Sequence, residues 1–211
     1  MNGTTTVQLA EKTAKAVTGS VEEWTGFLQS AARLYKYSYP EQLLIYAQRP
    51  EATACASYEI WNQTMRRYVR RGAKGIALLD GAGAVRYVFD VADTGARKSS
   101  REVKTWALDE NNREVVARAL ETQYGSAAKL GIAGQLEEIA MQQSMDYWQW
   151  HQDELRGIVD GSFLEGYDEL NLEIAFRNTA AASVKYMLLS RCNLAQEYRL
   201  EPEELAGVLE W

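Results

Sequence analysis

The sequence predicts an α+β fold: a small antiparallel sheet with packed helices, followed by an acidic helical C-terminal region. Three observations carry that prediction. Capped segments with apolar residues at helical spacing fill residues 20–48. Short β-branched or aromatic runs between Gly-rich turns fill 68–91, and two long helical periodicities fill 133–159 and 170–190. With 211 residues, 46% hydrophobic and 25% charged, the chain has material for one large core or two small ones.

Residues 1–19 are small and polar and read as a flexible tail or a frayed helix. Ser20 has the character of an N-cap, and Glu23 three positions on completes a capping box. Trp24, Phe27, Leu28, Ala31, Leu34 and Tyr35 then recur at helical spacing and form one apolar stripe. Tyr39-Pro40 breaks this helix, and Pro40 suits the first turn of a second one that ends at Arg49-Pro50. Residues 58–62 read as a short helix or turn. Residues 68–69, 75–79 and 85–91 read as antiparallel strands, with turns at 72–75 and 81–83. Residues 93–100 read as a polar loop, and 111–124 as a helix stopped by Gly125. The expected organisation is a tail over 1–19, an α+β module over 20–128 and an acidic helical region over 129–211.

Charge is distributed unevenly. The chain carries a formal −6, yet residues 61–79 hold Arg66, Arg67, Arg70, Arg71 and Lys74 with no carboxylate among them. That +5 leaves −11 for the remainder. From 130 to 176, ten acids stand against one base, Arg156, for a local −9. Such runs are commonly solvated faces. The sharper readings are a phosphate-binding surface for the basic run and a surface for a basic partner in the acidic region. Glu137, Glu138, Asp146, Asp153 and Glu154 are the candidates for that partner surface.

Several chemistries lack their residues. His151 is the single histidine, so a His-rich metal site or an HExxH zinc site is excluded. No GxxxxGK[ST] phosphate loop occurs, and neither Ser nor Cys stands in a nucleophile motif. The expectation is a protein that is not an enzyme, with no catalytic residues, no metal and no cofactor. Cys55 and Cys192 lie far apart, no CxxC occurs, and there is no signal peptide or membrane-spanning apolar run. A cytoplasmic protein with reduced thiols and no membrane partner is expected.

In the basic run, a strand would send Arg66, Tyr68 and Arg70 to one face and Arg67 and Arg71 to the other. A turn at Gly72 lets Arg70, Arg71 and Lys74 converge around exposed backbone amides. The candidate nucleic-acid-binding set is therefore Arg66, Arg67, Tyr68, Arg70, Arg71 and Lys74. The cations would track phosphates while the ring stacks on bases, at about 1–3 kcal/mol per base.

The motifs Trp24-Thr-Gly-Phe-Leu28, Tyr39-Pro-Glu-Gln-Leu-Leu-Ile-Tyr-Ala-Gln-Arg-Pro50, Ala52-Thr-Ala54, Trp61 and Arg70-Arg-Gly-Ala-Lys-Gly-Ile76 occur in one order and spacing. As a set they resemble the N-terminal module of ArdC-type antirestriction proteins. They are closer still to the opening segment of very large proteins of conjugative elements in Firmicutes. Val88-Phe-Asp-Val-Ala-Asp-Thr94 extends the likeness, which covers roughly residues 20–125. The resemblance implies an α+β module that binds single-stranded DNA on a mobile element that must survive host defence. Its basic-Gly-x-Lys-Gly turn falls on Arg70, Arg71, Gly72, Lys74 and Gly75, and its Leu-Leu helix on Gln42, Leu43 and Leu44 as core packing. The metalloprotease half of that family has no counterpart here.

Two functions follow as expectations. The first is a mobile-element-encoded counter-defence protein that binds single-stranded DNA through the basic strand and turn. The second is an anti-CRISPR or antirestriction inhibitor whose acidic helical surface binds a host defence nuclease, with or without its guide RNA.

Overall fold

The computed structural model describes residues 2–205 and has an α+β architecture. The chain divides into two compact units, residues 1–17 with 26–106 and residues 18–25 with 107–211. The boundary lies at 106/107 rather than near residue 128. The physical reason is helix α4, Arg113–Tyr124, whose Val116, Ala117 and Leu120 pack on Ile132 and Leu136 of the second unit.

The first unit begins with a helix, α1 (Gly3–Val17), where a flexible tail was expected. Asn2 caps it, its Oδ1 accepting from the Thr5 backbone N–H at 2.9 Å. The helix gives little apolar signal because two of its buried positions are threonines. Thr6 and Thr13 turn their hydroxyls back to the carbonyls of Asn2 and Leu9, at 2.8 and 2.7 Å. Helix α2 (Val21–Arg33) starts as expected, with Ser20 Oγ accepting from the Glu23 N–H at 3.2 Å. Phe27, Leu28, Ala31 and Leu34 of its stripe are buried, but Tyr35 lies past the helix end and is exposed. Helix α3 (Tyr39–Gln48) opens with Glu41 accepting from the Ser38 N–H at 3.1 Å, and Glu41 also pairs with Arg86.

The sheet is small and antiparallel. Strands β1 (Cys55–Ser57), β3 (Ile76–Leu79) and β4 (Val85–Asp90) lie in the order β1-β4-β3. A separate ribbon pairs β2 (Tyr68–Val69) with β5 (Thr94–Gly95). Ile76, Leu78 and Val88 send their side chains into a core with Leu34, Leu44, Ile45 and Ala52, and Leu9 and Ala10 of α1 pack on it. Gln42, Leu43 and Leu44 are all buried. The β3 peptide at Ala77 meets the Gln48 side chain, which donates to its carbonyl and accepts from its N–H, both at 2.9 Å. One glutamine thereby satisfies backbone groups that a bare sheet edge would expose.

The second unit is helical: α4, α5 (Gly131–Ile158) and α6 (Glu169–Arg191). Lys185 pairs with Glu137 at 2.6 Å near one end of α5 and Arg156 pairs with Glu169 near the other, so α5 and α6 run antiparallel. Gln135 is fully buried, and its Nε2 donates to the carbonyls of Ala117 and Ser126 at 3.0 and 2.9 Å. Asp168 caps α6 through the Asn171 N–H at 2.8 Å. Trp148, Leu164 and Leu172 form a second apolar cluster, with Phe176 packed on it.

Candidate nucleic-acid interface

The basic run is not one continuous strand. A single π-helical turn, Ile60–Thr64, carries the buried Trp61, whose indole N–H donates to the Phe89 carbonyl at 2.8 Å. Arg66 then takes a left-handed backbone conformation (φ 54°), and pairing is limited to Tyr68 with Gly95 and Val69 with Thr94. The expected alternation over 66–71 therefore fails at both ends. Arg66 precedes the strand, while Arg70 and Arg71 belong to the turn that follows.

Each predicted residue has a distinct place. Arg67 is half-buried, and its Nε donates to Thr94 Oγ1 at 2.8 Å. Arg70 donates from Nη1 to the Ala92 carbonyl at 3.0 Å, and its backbone N–H donates to the Asp93 carbonyl at 2.8 Å. These two arginines tie the ribbon together as well as adding charge. Arg66, Arg70, Arg71 and Lys74 are exposed. A turn closes from the Ala73 N–H to the Arg70 carbonyl at 3.1 Å, with Gly72 at φ +87°. That φ is open to glycine at little cost, so Gly72→Ala is expected to lower stability by about 1–2 kcal/mol.

Tyr68 is 41% exposed, with part of its ring engaged within the fold. Its ring lies across Gly95, where an added Cβ would fall 2.3 Å from the ring, and the Arg97 guanidinium sits 5.4 Å from its centroid. Gly95→Ala is expected to expel the ring and lower the thermal midpoint. A variant melting with the wild type would show that the ring does not need this seat.

The fold adds three cations from outside the basic run. Ser100 Oγ donates to the Arg66 carbonyl at 2.6 Å, and the Arg101 N–H donates to the Met65 carbonyl at 2.9 Å. Arg97, Lys98 and Arg101 are thus brought beside Arg66 and Tyr68. The available signal was the run Arg97-Lys98-Ser-Ser-Arg101 itself; the β2–β5 pairing that makes it a neighbour is only two residues long. Among the described residues none of Arg66, Arg67, Arg70, Arg71, Lys74, Arg97, Lys98 and Arg101 pairs with a carboxylate.

The nearby carboxylates are occupied elsewhere. Asp93 pairs with Arg49 at 2.5 Å, and buried Asp90 accepts from the backbone N–H groups of Thr53, Ala54 and Ala92 at 2.8, 2.9 and 2.8 Å. Cys55, next to Asp90, has its thiol pushed up to about 12 by burial and then by the Asp90 charge. Among the described residues no three His, Cys, Asp or Glu side chains gather as metal ligands.

By unit, the charges separate. The first unit holds 15 bases and 8 acids, a net +7; the second holds 8 bases and 21 acids, a net −13. The five predicted partner-binding acids all lie on α5, but not on one face. At about 100° per residue, Asp146 and Asp153 fall within about 20° of each other while Glu137 points the opposite way. Glu137 is paired with Lys185, and Glu138 accepts from Ser126 Oγ. Asp146 accepts from Gln142 Nε2 at 2.7 Å. Asp153 and Glu154 are exposed beside Arg156 and His151. The single acidic contact surface is corrected to acids spread around a helix, because their sequence spacings do not match its turn.

No helix among the described residues is long and apolar enough to cross a membrane. No family model, curated protein or solved structure matches the chain.

Proposed function

We propose that the first unit binds single-stranded DNA, as its likeness to ArdC-type N-terminal modules implies, in a counter-defence protein of a mobile element. The observation that carries this reading is a basic run whose Arg66 has the segment of Arg97, Lys98 and Arg101 brought beside it, with none of these cations, nor Arg71 or Lys74, paired with a carboxylate among the described residues, in a chain that is acidic overall. Unpaired cations attract a polyanion because binding releases its condensed counterions. A labelled oligo(dT) titrated with the full chain at ~50 mM salt tests it, since several phosphate contacts give measurable affinity there. An unchanged anisotropy at high protein concentration would remove the reading.

A second reading, inhibition of a defence nuclease by the helical unit, is favoured by that unit's net −13. It predicts that reversing Asp146 and Asp153, which share a face, relieves inhibition of a purified nuclease. Inhibition that survives the reversal would exclude that face as the contact.

A further inference from the structure

The face of the three-stranded sheet turned away from the core of Ile76, Leu78 and Val88 carries a partly exposed aromatic ring, Tyr87. In the β3–β4 register, Ile76 stands opposite Val88 and Ala77 opposite Tyr87. Side chains alternate across a strand, and Ile76, Leu78 and Val88 face the core. Tyr87 and Phe89 therefore project from the other face, Tyr87 with 46% of its surface exposed. Its hydroxyl bonds to no described residue.

Gly75 joins this face to the turn. A Cβ there would lie 3.1 Å from Cβ and Cδ1 of Tyr87 and 3.2 Å from Cζ of Phe89. Unlike Gly72, Gly75 has no positive φ; its backbone carries the two rings, which would have to give by a few tenths of an ångström to admit a Cβ. Lys74, adjacent in sequence and exposed, borders the backbone on which the two rings lie. Tyr68 is also exposed, at 41%, but the Arg97 guanidinium sits 5.4 Å from its ring centroid, so part of its surface is already engaged.

We infer that Tyr87, supported by Phe89, is a stacking platform for an unpaired base whose flanking phosphates are held by Arg71 and Lys74. This rests on the proposed single-stranded DNA binding and assigns the base contact to a residue outside the basic run. An aromatic face accepts any base, so the platform gives affinity without sequence readout. A base pair within a duplex keeps its faces covered, so the platform selects single strands.

The test uses the full chain with labelled oligo(dT) of about twenty residues, and Tyr87→Ala, Tyr87→Leu and Tyr87→Phe. The Phe variant is expected to bind like the wild type. The Ala and Leu variants are expected to bind roughly 10- to 100-fold more weakly, with an unchanged dependence on salt, because stacking carries no charge. Tyr87→Leu keeps apolar bulk on the strand, so a loss shared by both variants is not a folding defect. An oligonucleotide of abasic sites should bind the wild type and Tyr87→Leu equally. Wild-type affinity for oligo(dT) in the Leu variant, alongside weakened binding by Arg71→Ala with Lys74→Ala, overturns the platform and leaves the DNA reading standing. Absence of binding by the wild type overturns both.

Discussion

Replacing Asp90 with alanine is expected to destabilise the first unit by about 3–5 kcal/mol, a large part of the total for a domain. The carboxylate is buried at 2% exposure, and three backbone N–H groups converge on it, from Thr53, Ala54 and Ala92. Alanine leaves those donors without their acceptor, and a buried donor without a partner costs about 1–3 kcal/mol. The effect reaches the basic turn, since Arg70 is held by the carbonyls of Ala92 and Asp93. Asp90→Asn keeps one acceptor oxygen and is expected to lose less than alanine. Denaturant unfolding measures both, and an alanine variant within 1 kcal/mol of the wild type would show that water replaces the carboxylate.

Removing Arg71 and Lys74 together is expected to weaken binding to single strands on the order of 60-fold at ~50 mM salt. Neither side chain pairs with a carboxylate among the described residues, so their replacement removes charge with little disturbance to the turn. Each phosphate contact on a single strand contributes about 0.7 to the slope of log affinity against log salt, which is close to one decade of affinity at this salt. Arg67→Ala and Arg70→Ala behave differently, since each also breaks a hydrogen bond to the strand-end segment. Those variants are expected to lose thermal stability along with affinity. Anisotropy titrations with parallel melts separate the two classes.

Much of this fold was legible in local chemistry. Ser20 with Glu23, and Pro40, mark helix starts through a side-chain acceptor and a preset φ, while the Ser38–Glu41 capping box emerges only in the fold. The strands of 76–79 and 85–90 were visible as short apolar, β-branched or aromatic runs between Gly-rich turns. Helix α1 was not, because Thr6 and Thr13 occupy positions where larger apolar residues would show the period. Strands β1 and β5 hold three and two residues, too few for any periodicity. At the site, the Gly72 turn was readable from its glycine. The approach of Arg97 to Tyr68 was not, since it depends on pairing across 26 intervening residues, 69–94. Tyr87 looked like an ordinary strand aromatic until the register placed it over Gly75.

The most direct measurement is the salt dependence of oligo(dT) binding by the wild type and by Arg71→Ala with Lys74→Ala. One phosphate contact for each of Arg66, Arg71, Lys74, Arg97, Lys98 and Arg101 predicts a slope near −4 for the wild type and near −3 for the double variant, at about 0.7 per contact. A slope near zero, or one identical in the two proteins, would contradict a phosphate-binding surface built on this turn.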